Sequence, residues 1–427
     1  MRLARGEAAL HDPAMTEGPT RLPIEAALPE LIAALRERPN AVLVAPPGAG
    51  KTTRVPLALL GESWIEGGRI ILLEPRRLAA RAAADRMART LGERVGDTVG
   101  LRVRMESRVG PKTQIEVVTE GVFTRRIVED PSLEGVAAVL FDEFHERSLD
   151  ADLGLALAIE AQAGLRPDLR LLAMSATLDG ARVAKLLGEA PVIRSEGRAY
   201  PVETRYLGRD PNRRIEDQVV EATLRALRAE PGSALVFLPG AGEIRRVEAA
   251  LTERLAGESV DVVPLFGALE RGDQDAAIRP AAPGRRKVVL ATSIAETSLT
   301  IEGVRIVVDS GLARVPVYEP GIGLTRLETR RASRASADQR RGRAGRTQPG
   351  TCFRLWDEAA TAALDAFSRP EILAADLSGL LLDCAEWGVA DPTTLPFLDP
   401  PPAPALAEAR GQLGEIGALD PDGRITA

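Results

Sequence analysis

Short runs of apolar residues recur along the chain and alternate with longer stretches of helical periodicity. In the first half such a run occurs five times, at residues 41–45, 69–74, 114–119, 136–143 and 170–177. Each run is apolar at nearly every position, which is typical of a parallel strand that is covered on both faces. The pattern therefore predicts a doubly wound α/β domain over residues 21–198.

The same alternation starts again after residue 198. Five further apolar runs follow, at residues 233–240, 260–267, 287–292, 305–311 and 350–356. They predict a second α/β domain over residues 199–356, so the chain carries two such domains in tandem with parallel sheets. Residues 357–427 are mostly helical in pattern and then rich in proline, which indicates a small helical module. Residues 1–20 have no clear periodicity, and we expect a disordered tail there.

Composition narrows the class of protein. The chain has 427 residues, of which 45% are apolar and 27% charged, as in soluble globular proteins. A net charge of −6 argues against a uniformly basic surface for nucleic acid, but it leaves room for a local basic groove. The two cysteines have neither metal-site nor disulfide spacing, and no apolar run approaches the ~18 residues of a membrane span. We expect a cytoplasmic protein.

Residues 45–54, APPGAGKTTR, follow directly after the first apolar run. Gly48 and Gly50 allow backbone N–H groups to converge on phosphate oxygens, while Lys51 can reach the β- and γ-phosphates of ATP. The Thr52 hydroxyl is the expected ligand of Mg²⁺. An ordinary glycine-rich turn with an exposed lysine is the alternative interpretation. The loop residues predicted to bind the nucleotide are Gly48, Ala49, Gly50, Lys51, Thr52 and Thr53.

A P-loop ATPase also needs an acidic residue at the tip of a neighbouring strand. Asp142 and Glu143 stand at the end of the run 136–143, where open α/β sheets bind their ligands. We predict that Asp142 holds the metal with Thr52, and that Glu143 lies beside the metal and deprotonates the attacking water. The alternative is a solvated acidic strand end. His145 follows closely and is one of only two histidines in the chain.

With these residues in place, the chain resembles the DEAH/DExH helicases of superfamily two, and most closely a bacterial branch of them. Asp142-Glu143-Phe144-His145 is similar to motif II of that family, with Phe144 where alanine is usual. The other motifs follow in the family's order: 48–53 resembles motif I, 74–80 motif Ia, 119–123 motif Ib, 175–177 motif III, 235–240 motif IV, 291–304 motif V and 339–346 motif VI.

The resemblance implies two tandem RecA-like P-loop domains with ATP between them. Arg343 and Arg346 match the arginine fingers of motif VI, and Gln339 would position the attacking water or the γ-phosphate. Ser298 would sense the nucleotide state, and Asp309 would lie near the ribose and motif VI. The predicted catalytic residues are therefore Lys51, Glu143, Gln339, Arg343 and Arg346.

The resemblance also assigns the base and the coupling residues. Arg86 matches the arginine that stacks on adenine, but its usual aromatic partner in the second domain is replaced, and Arg279 is the nearest candidate. We therefore expect weak discrimination among nucleoside triphosphates. His145, Ser175 and Thr177 would couple hydrolysis to domain movement.

In this family a single strand of RNA crosses both domains. Four residues match those that hold its sugar-phosphate backbone: Arg76, Arg77, Thr119 and Thr292. Residues 325–346 carry eight arginines against two acidic residues, a local charge of +6. Residues 317–330 predict a β-hairpin, which in the family is a wedge beside the nucleic acid; an ordinary surface hairpin is the alternative.

Taken together, the resemblance implies an ATP-dependent RNA helicase or translocase that uses Mg²⁺ and is stimulated by single-stranded nucleic acid. Residues 357–427 resemble a winged-helix module that is incomplete by the family's standard, so we expect ATPase activity to survive better than unwinding. A DNA helicase and a truncated, non-unwinding scaffold remain the alternatives.

Overall fold

The computed structural model describes residues 22–176, 180–197, 200–296, 299, 301–319 and 323–426. Its first sheet is built from eight strands: β1 (Asn40–Val44), β2 (Arg69–Glu74), β3 (Val99–Val103), β4 (Glu106–Arg108), β5 (Ile115–Thr119), β6 (Val136–Phe141), β7 (Arg170–Ser175) and β8 (Val192–Arg194). Their order across the sheet is β4-β3-β5-β2-β6-β7-β1-β8. Neighbouring strands are parallel except for the antiparallel pair β3–β4.

Helices cover both faces of this sheet, and six belong to it: α1 (Leu28–Glu37), α2 (Lys51–Leu59), α3 (Arg77–Thr90), α4 (Glu120–Glu129), α5 (Leu149–Gly164) and α6 (Gly180–Leu186). Because side chains alternate along a strand, β1 contributes Ala41 and Leu43 to one core and Val42 and Val44 to the other. The first core includes α1 to α3, and the second includes α4 to α6. We call the sheet with its helices the first lobe.

The second sheet has six parallel strands: β9 (Val202–Tyr206), β10 (Ser233–Phe237), β11 (Val260–Leu265), β12 (Arg286–Ala291), β13 (Val304–Asp309) and, later in the chain, β16 (Gly350–Arg354). Their order is β11-β12-β10-β13-β16-β9. Four helices lie in this region: α7 (Ile215–Ala229), α8 (Ala241–Arg254), α9 (Arg271–Ile278) and α10 (Arg334–Gly342). We call this unit the second lobe.

A hairpin projects between β13 and α10 of the second lobe. It pairs β14 (Leu312–Glu319) with β15 (Leu324–Arg331) in antiparallel register, which confirms the hairpin prediction. The tip of the turn, residues 320–322, lies outside the described residues. Most side chains of β15 are exposed. Its function as a wedge stays a prediction.

All ten apolar runs of the sequence form strands, and the two parallel α/β lobes are confirmed. Four strands carried no clear signal, namely β3, β4, β8 and β9. The strand predicted over 136–143 is shorter in the structure, because β6 ends at Phe141 and leaves Asp142 and Glu143 in the loop that follows. The predicted tail and the predicted domain boundary at 198/199 fall on residues that are not described.

The chain after residue 357 is helical, with α11 (Ser378–Glu386) and α12 (Ala403–Glu415) joined by short turns. Leu380, Leu381 and Cys384 of α11 pack into the same core as α4 and α5 of the first lobe. The last segment is therefore docked on the first lobe rather than extended from the second. Its winged-helix assignment stays a prediction. Among the described residues, no helix has the length and apolar character needed to cross a membrane.

Candidate active site

The loop between β1 and α2 has the backbone shape that its glycines suggest. Gly48 and Gly50 have φ angles of 84° and 96°, which side-chain-bearing residues rarely adopt. A Cβ added at Gly50 would lie 2.7 Å from Leu22 Cδ1, so the loop is also tightly packed from below. Helix α2 begins at Lys51 and presents its N-terminus to the loop. Free N–H groups at such a terminus attract a phosphate.

Three buried charges meet beside this loop. Lys51 Nζ lies 2.9 Å from Glu143 Oε1 and 3.7 Å from Asp142 Oδ1. Burial disfavours the charged lysine, but the two carboxylates outweigh it and raise the pKa of Lys51. Burial also raises the pKa of Asp142, whereas Lys51 and His145 outweigh burial at Glu143 and lower its pKa to about 2. Glu143 is therefore ionised.

The Thr52 hydroxyl donates a short hydrogen bond to Asp142 Oδ2. This places one hydroxyl and one carboxylate side by side next to the phosphate loop, and oxygen ligands are what Mg²⁺ prefers. The described residues contain no cluster of three or more His, Cys, Asp or Glu side chains that could hold a metal alone. The donor set fits an ion that is also held by nucleotide phosphates, with Glu143 beside it.

His145 connects the two lobes. Its Nε2 lies 2.7 Å from Gln339 Nε2 of α10, and its Nδ1 lies 3.5 Å from Glu143 Oε2. The Ala176 N–H, next to Ser175, is 3.3 Å from the same Nδ1. The side-chain amide of Gln339 suits either imidazole tautomer, because its NH₂ group donates to a bare Nε2 and its oxygen accepts from a protonated one. Motifs II, III and VI thus meet at one ring.

The two predicted arginine fingers approach from the second lobe. Arg343 is buried, and it donates to the carbonyl oxygens of Glu296 and Leu299, while Arg346 Nη1 donates to Leu299 O at 2.9 Å. A Cβ added at Gly48 would lie 3.7 Å from Arg346 Nε, so the second lobe contacts the phosphate loop directly. Burial and the neighbouring Arg346 lower the pKa of Arg343, and burial lowers that of Arg346 to about 10.

A cavity of about 670 Å³ opens at this seam between the lobes. Arg86 of α3 and Arg279 after α9, the two predicted base contacts, are both exposed in its wall. The cavity is lined by several further predicted residues: Gly48, Gly50, Lys51, Thr52, Thr53, Glu143 and Arg346. Ala49 is buried beneath the loop, where its carbonyl accepts from the Ile24 N–H at 3.1 Å.

Two residues that were predicted to contact a ligand are hydrogen-bonded to other residues of the protein. Asp309 is fully buried and accepts from Arg340 Nη1 at 2.8 Å, so it contacts motif VI as expected but is not part of the cavity wall. Its predicted place near the ribose stays a prediction, while its contact with Arg340 supports α10. Arg76, predicted to hold nucleic acid, donates to Glu146 Oε2 at 2.9 Å and to the Ser293 carbonyl at 2.6 Å. Here it joins the lobes, since Ser293 belongs to the second.

The other predicted nucleic-acid residues lie at element ends. Arg77 is exposed at the first position of α3, Thr119 is half-buried directly before α4, and Thr292 is half-buried after β12. Thr292 is next to Ser293, so the Arg76 contact brings the two sides of the predicted track together. Thr177 and Ser298 lie outside the described residues.

Sequence reasoning missed several residues around the site. Arg340 is 1% exposed and pairs with both Asp309 and Glu296, although it looks like one more basic residue of an arginine-rich stretch. Arg271 Nη1 reaches Glu106 Oε1 across the cavity rim at 3.5 Å. Neither pairing has a local signal in the sequence, because each joins residues that are far apart in the chain.

The two lobes and the charged seam between them define a helicase-type P-loop protein. A model of the DEAD/DEAH box helicase family matches residues 25–186, and a model of the helicase conserved C-terminal domain matches residues 217–348. The chain belongs to the DEAD/DEAH-box helicase family, as its motifs predicted.

Individual relatives sharpen this assignment. The chain is 55% identical over 399 residues to the ATP-dependent RNA helicase HrpB of Escherichia coli (strain K12), covering 93% of this chain and 49% of that protein. A crystal structure of the E. coli DEAH/RHA helicase HrpB matches with a TM-score of 0.90 at 54% identity, over 95% of this chain and 52% of the other. A structure of the E. coli DExH-box NTPase HrpB gives 0.86 at 53%, over 96% and 51%. The chain spans about half the length of these relatives.

Proposed function

We propose that this chain hydrolyses ATP in the seam between its lobes and couples hydrolysis to movement on single-stranded RNA. One observation carries the proposal. Lys51 and Glu143 of the first lobe and Arg346 of the second line the same cavity, and the buried Arg343 interacts electrostatically with both Glu143 and Arg346. A triphosphate in that cavity would be contacted from both lobes at once.

Each side chain then has a defined task. Lys51 and the fingers Arg343 and Arg346 neutralise the phosphates, and Glu143 takes the proton of the attacking water. Thr52 and Asp142 would hold Mg²⁺, with Glu143 beside it. The ion supplies charge neutralisation on the phosphate oxygens.

Communication between the lobes follows from shared contacts. His145 contacts both Glu143 and Gln339, so a change at the γ-phosphate alters the contact between the lobes. Nucleic acid that binds near Arg76, Arg77, Thr119 and Thr292 would act on the same seam, because Arg76 already bridges it. Loss of the γ-phosphate would favour opening, as in other nucleotide switches. Ser298 and Thr177 keep their predicted coupling roles in this proposal.

RNA is preferred to DNA because the relative at 55% identity is named as an RNA helicase. We also place the protein in the reducing cytoplasm, since Cys352 and Cys384 are both free and buried. The test is steady-state ATP turnover with no nucleic acid, with poly-RNA and with DNA of equal length. We expect clear stimulation by RNA and less by DNA. Stimulation by DNA alone would contradict the RNA assignment, and absence of turnover would contradict the proposal as a whole.

A further inference from the structure

Asp399, in the proline-rich segment before α12, holds two arginines of the first lobe with one carboxylate. Its Oδ2 lies 2.8 Å from Arg147 Nη1, and its Oδ1 lies 2.8 Å from Arg182 Nη2. Arg182 also donates to the carbonyl of Leu398 at 3.1 Å. The segment is therefore attached to the first lobe by a charge-assisted hydrogen bond from Arg182 to Asp399 and by the ion pair between Asp399 and Arg147.

The two arginines directly follow two motifs of the site. Arg147 comes four residues after Glu143, and Arg182 lies in α6, the helix after Ser175. Arg147 donates to both oxygens of Asp152 at 2.9 Å, and its side chain is only 11% exposed. Asp399 thus links the turn after motif II to α6, the helix that follows motif III in the chain.

A second residue of the last segment holds the same turn. The Glu371 N–H donates to the Arg147 carbonyl at 3.0 Å, and the Glu371 carboxylate accepts from the Leu149 N–H at 2.9 Å. The turn from motif II into α5 is thus fixed by residues that come more than 220 positions later.

This turn needs external support because its backbone is strained. Glu143 and Arg147 have φ angles of 50° and 52°, in the left-handed region that residues with side chains rarely occupy. Such conformations persist only where surrounding contacts fix them. Glu143 is the predicted base, so the orientation of its carboxylate depends on how firmly the turn is held.

We propose that Asp399 is a positioning residue for ATP hydrolysis: its carboxylate, held by Arg182, pairs with Arg147 and so fixes the turn that orients Glu143. The inference rests on the proposed ATPase function. It gives the segment after residue 357 a part in the catalytic geometry of the first lobe, without any contact to the nucleotide. Neutralising Asp399 removes one ion pair of Arg147, so we expect the turn to loosen. The pair between Arg147 and Asp152 remains, so we expect the fold to stay intact.

The test compares Asp399→Asn with Asp391→Asn. Asp391 lies in the same segment, and in the described part of the chain it accepts hydrogen bonds only from Thr393 and Thr394 of its own turn, so it is a matched control. Because small misplacements of catalytic groups can cost up to about 100-fold, we expect kcat of Asp399→Asn to fall roughly 5- to 20-fold. The KM for ATP should stay within about twofold, since no contact to the cavity is lost. The control should keep the wild-type kcat.

Hydrogen exchange supplies a readout that does not depend on turnover. Amides of residues 143–149 should exchange faster in Asp399→Asn than in the wild type, while those of the second lobe stay unchanged. An unchanged kcat together with unchanged exchange would overturn the inference, as would an equal loss of kcat in Asp391→Asn. Should Asp399→Asn fail to fold, Asp399→Glu, which keeps the charge but displaces the carboxylate by one methylene, is measured in the same way. A wild type without ATPase activity contradicts the proposed function instead, and the exchange result still decides the inference.

Discussion

The two sides of the seam satisfy their charges in different ways. On the first lobe, Lys51 lies 2.9 Å from Glu143, and the two buried charges neutralise each other. On the second lobe, Arg343 is equally buried, but its hydrogen bonds go to the carbonyl oxygens of Glu296 and Leu299. Its Nη2 has no hydrogen-bond partner in the described part of the chain. On the first side the buried lysine is paired with a carboxylate, whereas on the second side the buried guanidinium of Arg343 is bound by neutral carbonyl oxygens.

This difference makes the second side of the seam a favourable place for an anion such as the phosphates of the proposed nucleotide. An arginine stays protonated in a protein, so the lowered pKa of Arg343 means that its surroundings disfavour its charge rather than remove it. A phosphate group next to Arg343 and Arg346 would relieve that cost. A triphosphate bound to the first lobe would bring this anion to Arg343 and Arg346 only when the second lobe approaches. Its binding would therefore favour closure of the second lobe onto the first.

The largest effect is expected at the second side. Arg343→Ala removes a finger that is worth roughly 10³-fold or more in other phosphoryl-transfer enzymes, and we expect kcat to fall by about that factor. Arg341→Ala is the matched control, since Arg341 is two residues away and pairs with the exposed Asp338 at 3.9 Å. ATP turnover at saturating ATP and RNA is the measurement. Equal losses in the two variants would mean that the basic segment acts only through its overall charge.

The second prediction concerns the first lobe's side of the seam. Glu143→Gln removes the proposed base and should lower kcat by roughly 10²-fold or more. It also removes the buried partner of Lys51, so the lysine becomes freer to contact phosphate. We therefore expect the variant to bind a non-hydrolysable ATP analogue as tightly as the wild type or more tightly, in a fluorescence titration. Wild-type turnover by this variant would show that the base is another residue.

The smallest effect is expected where both sides are exposed, at Arg86 and Arg279. Each lies in the cavity wall without burial, and stacking of an exposed arginine on an aromatic ring contributes about 0.5–1 kcal/mol. Arg86→Ala and Arg279→Ala should each raise the KM for ATP about two- to fivefold and leave kcat unchanged. The kcat/KM values for ATP and GTP should differ by less than about tenfold. A strong preference for one base would mean that other groups in the cavity read it.

The sequence predicted those elements whose signal is local. Strand β6 was found because a strand covered on both faces is apolar at every position. Strand β9, Val202–Tyr206, was missed because it lies at the edge of its sheet and keeps polar side chains half-exposed. The phosphate loop was found for a similar reason, since ten consecutive residues contain its chemistry.

The sequence did not predict contacts between residues that are far apart in the chain. Arg76 meets the carbonyl of Ser293, 217 positions away, and Asp309 meets Arg340, so neither environment follows from neighbouring residues. The same holds for Asp399 and Arg147. Their pairing exists only because the last segment docks on the first lobe, which no periodicity in the sequence indicates.

Arg340 and Arg341 are neighbours of the same type, yet 1% of one side chain and 41% of the other is exposed. The guanidinium of Arg340 is enclosed by two carboxylates and lies over the ring of Phe237. Removing one member of a buried ion group costs several kcal/mol, whereas an exposed arginine can be replaced at little cost. A substitution at Arg340 should therefore cost far more of the free energy of folding than one at Arg341, although the two positions look alike in the basic stretch.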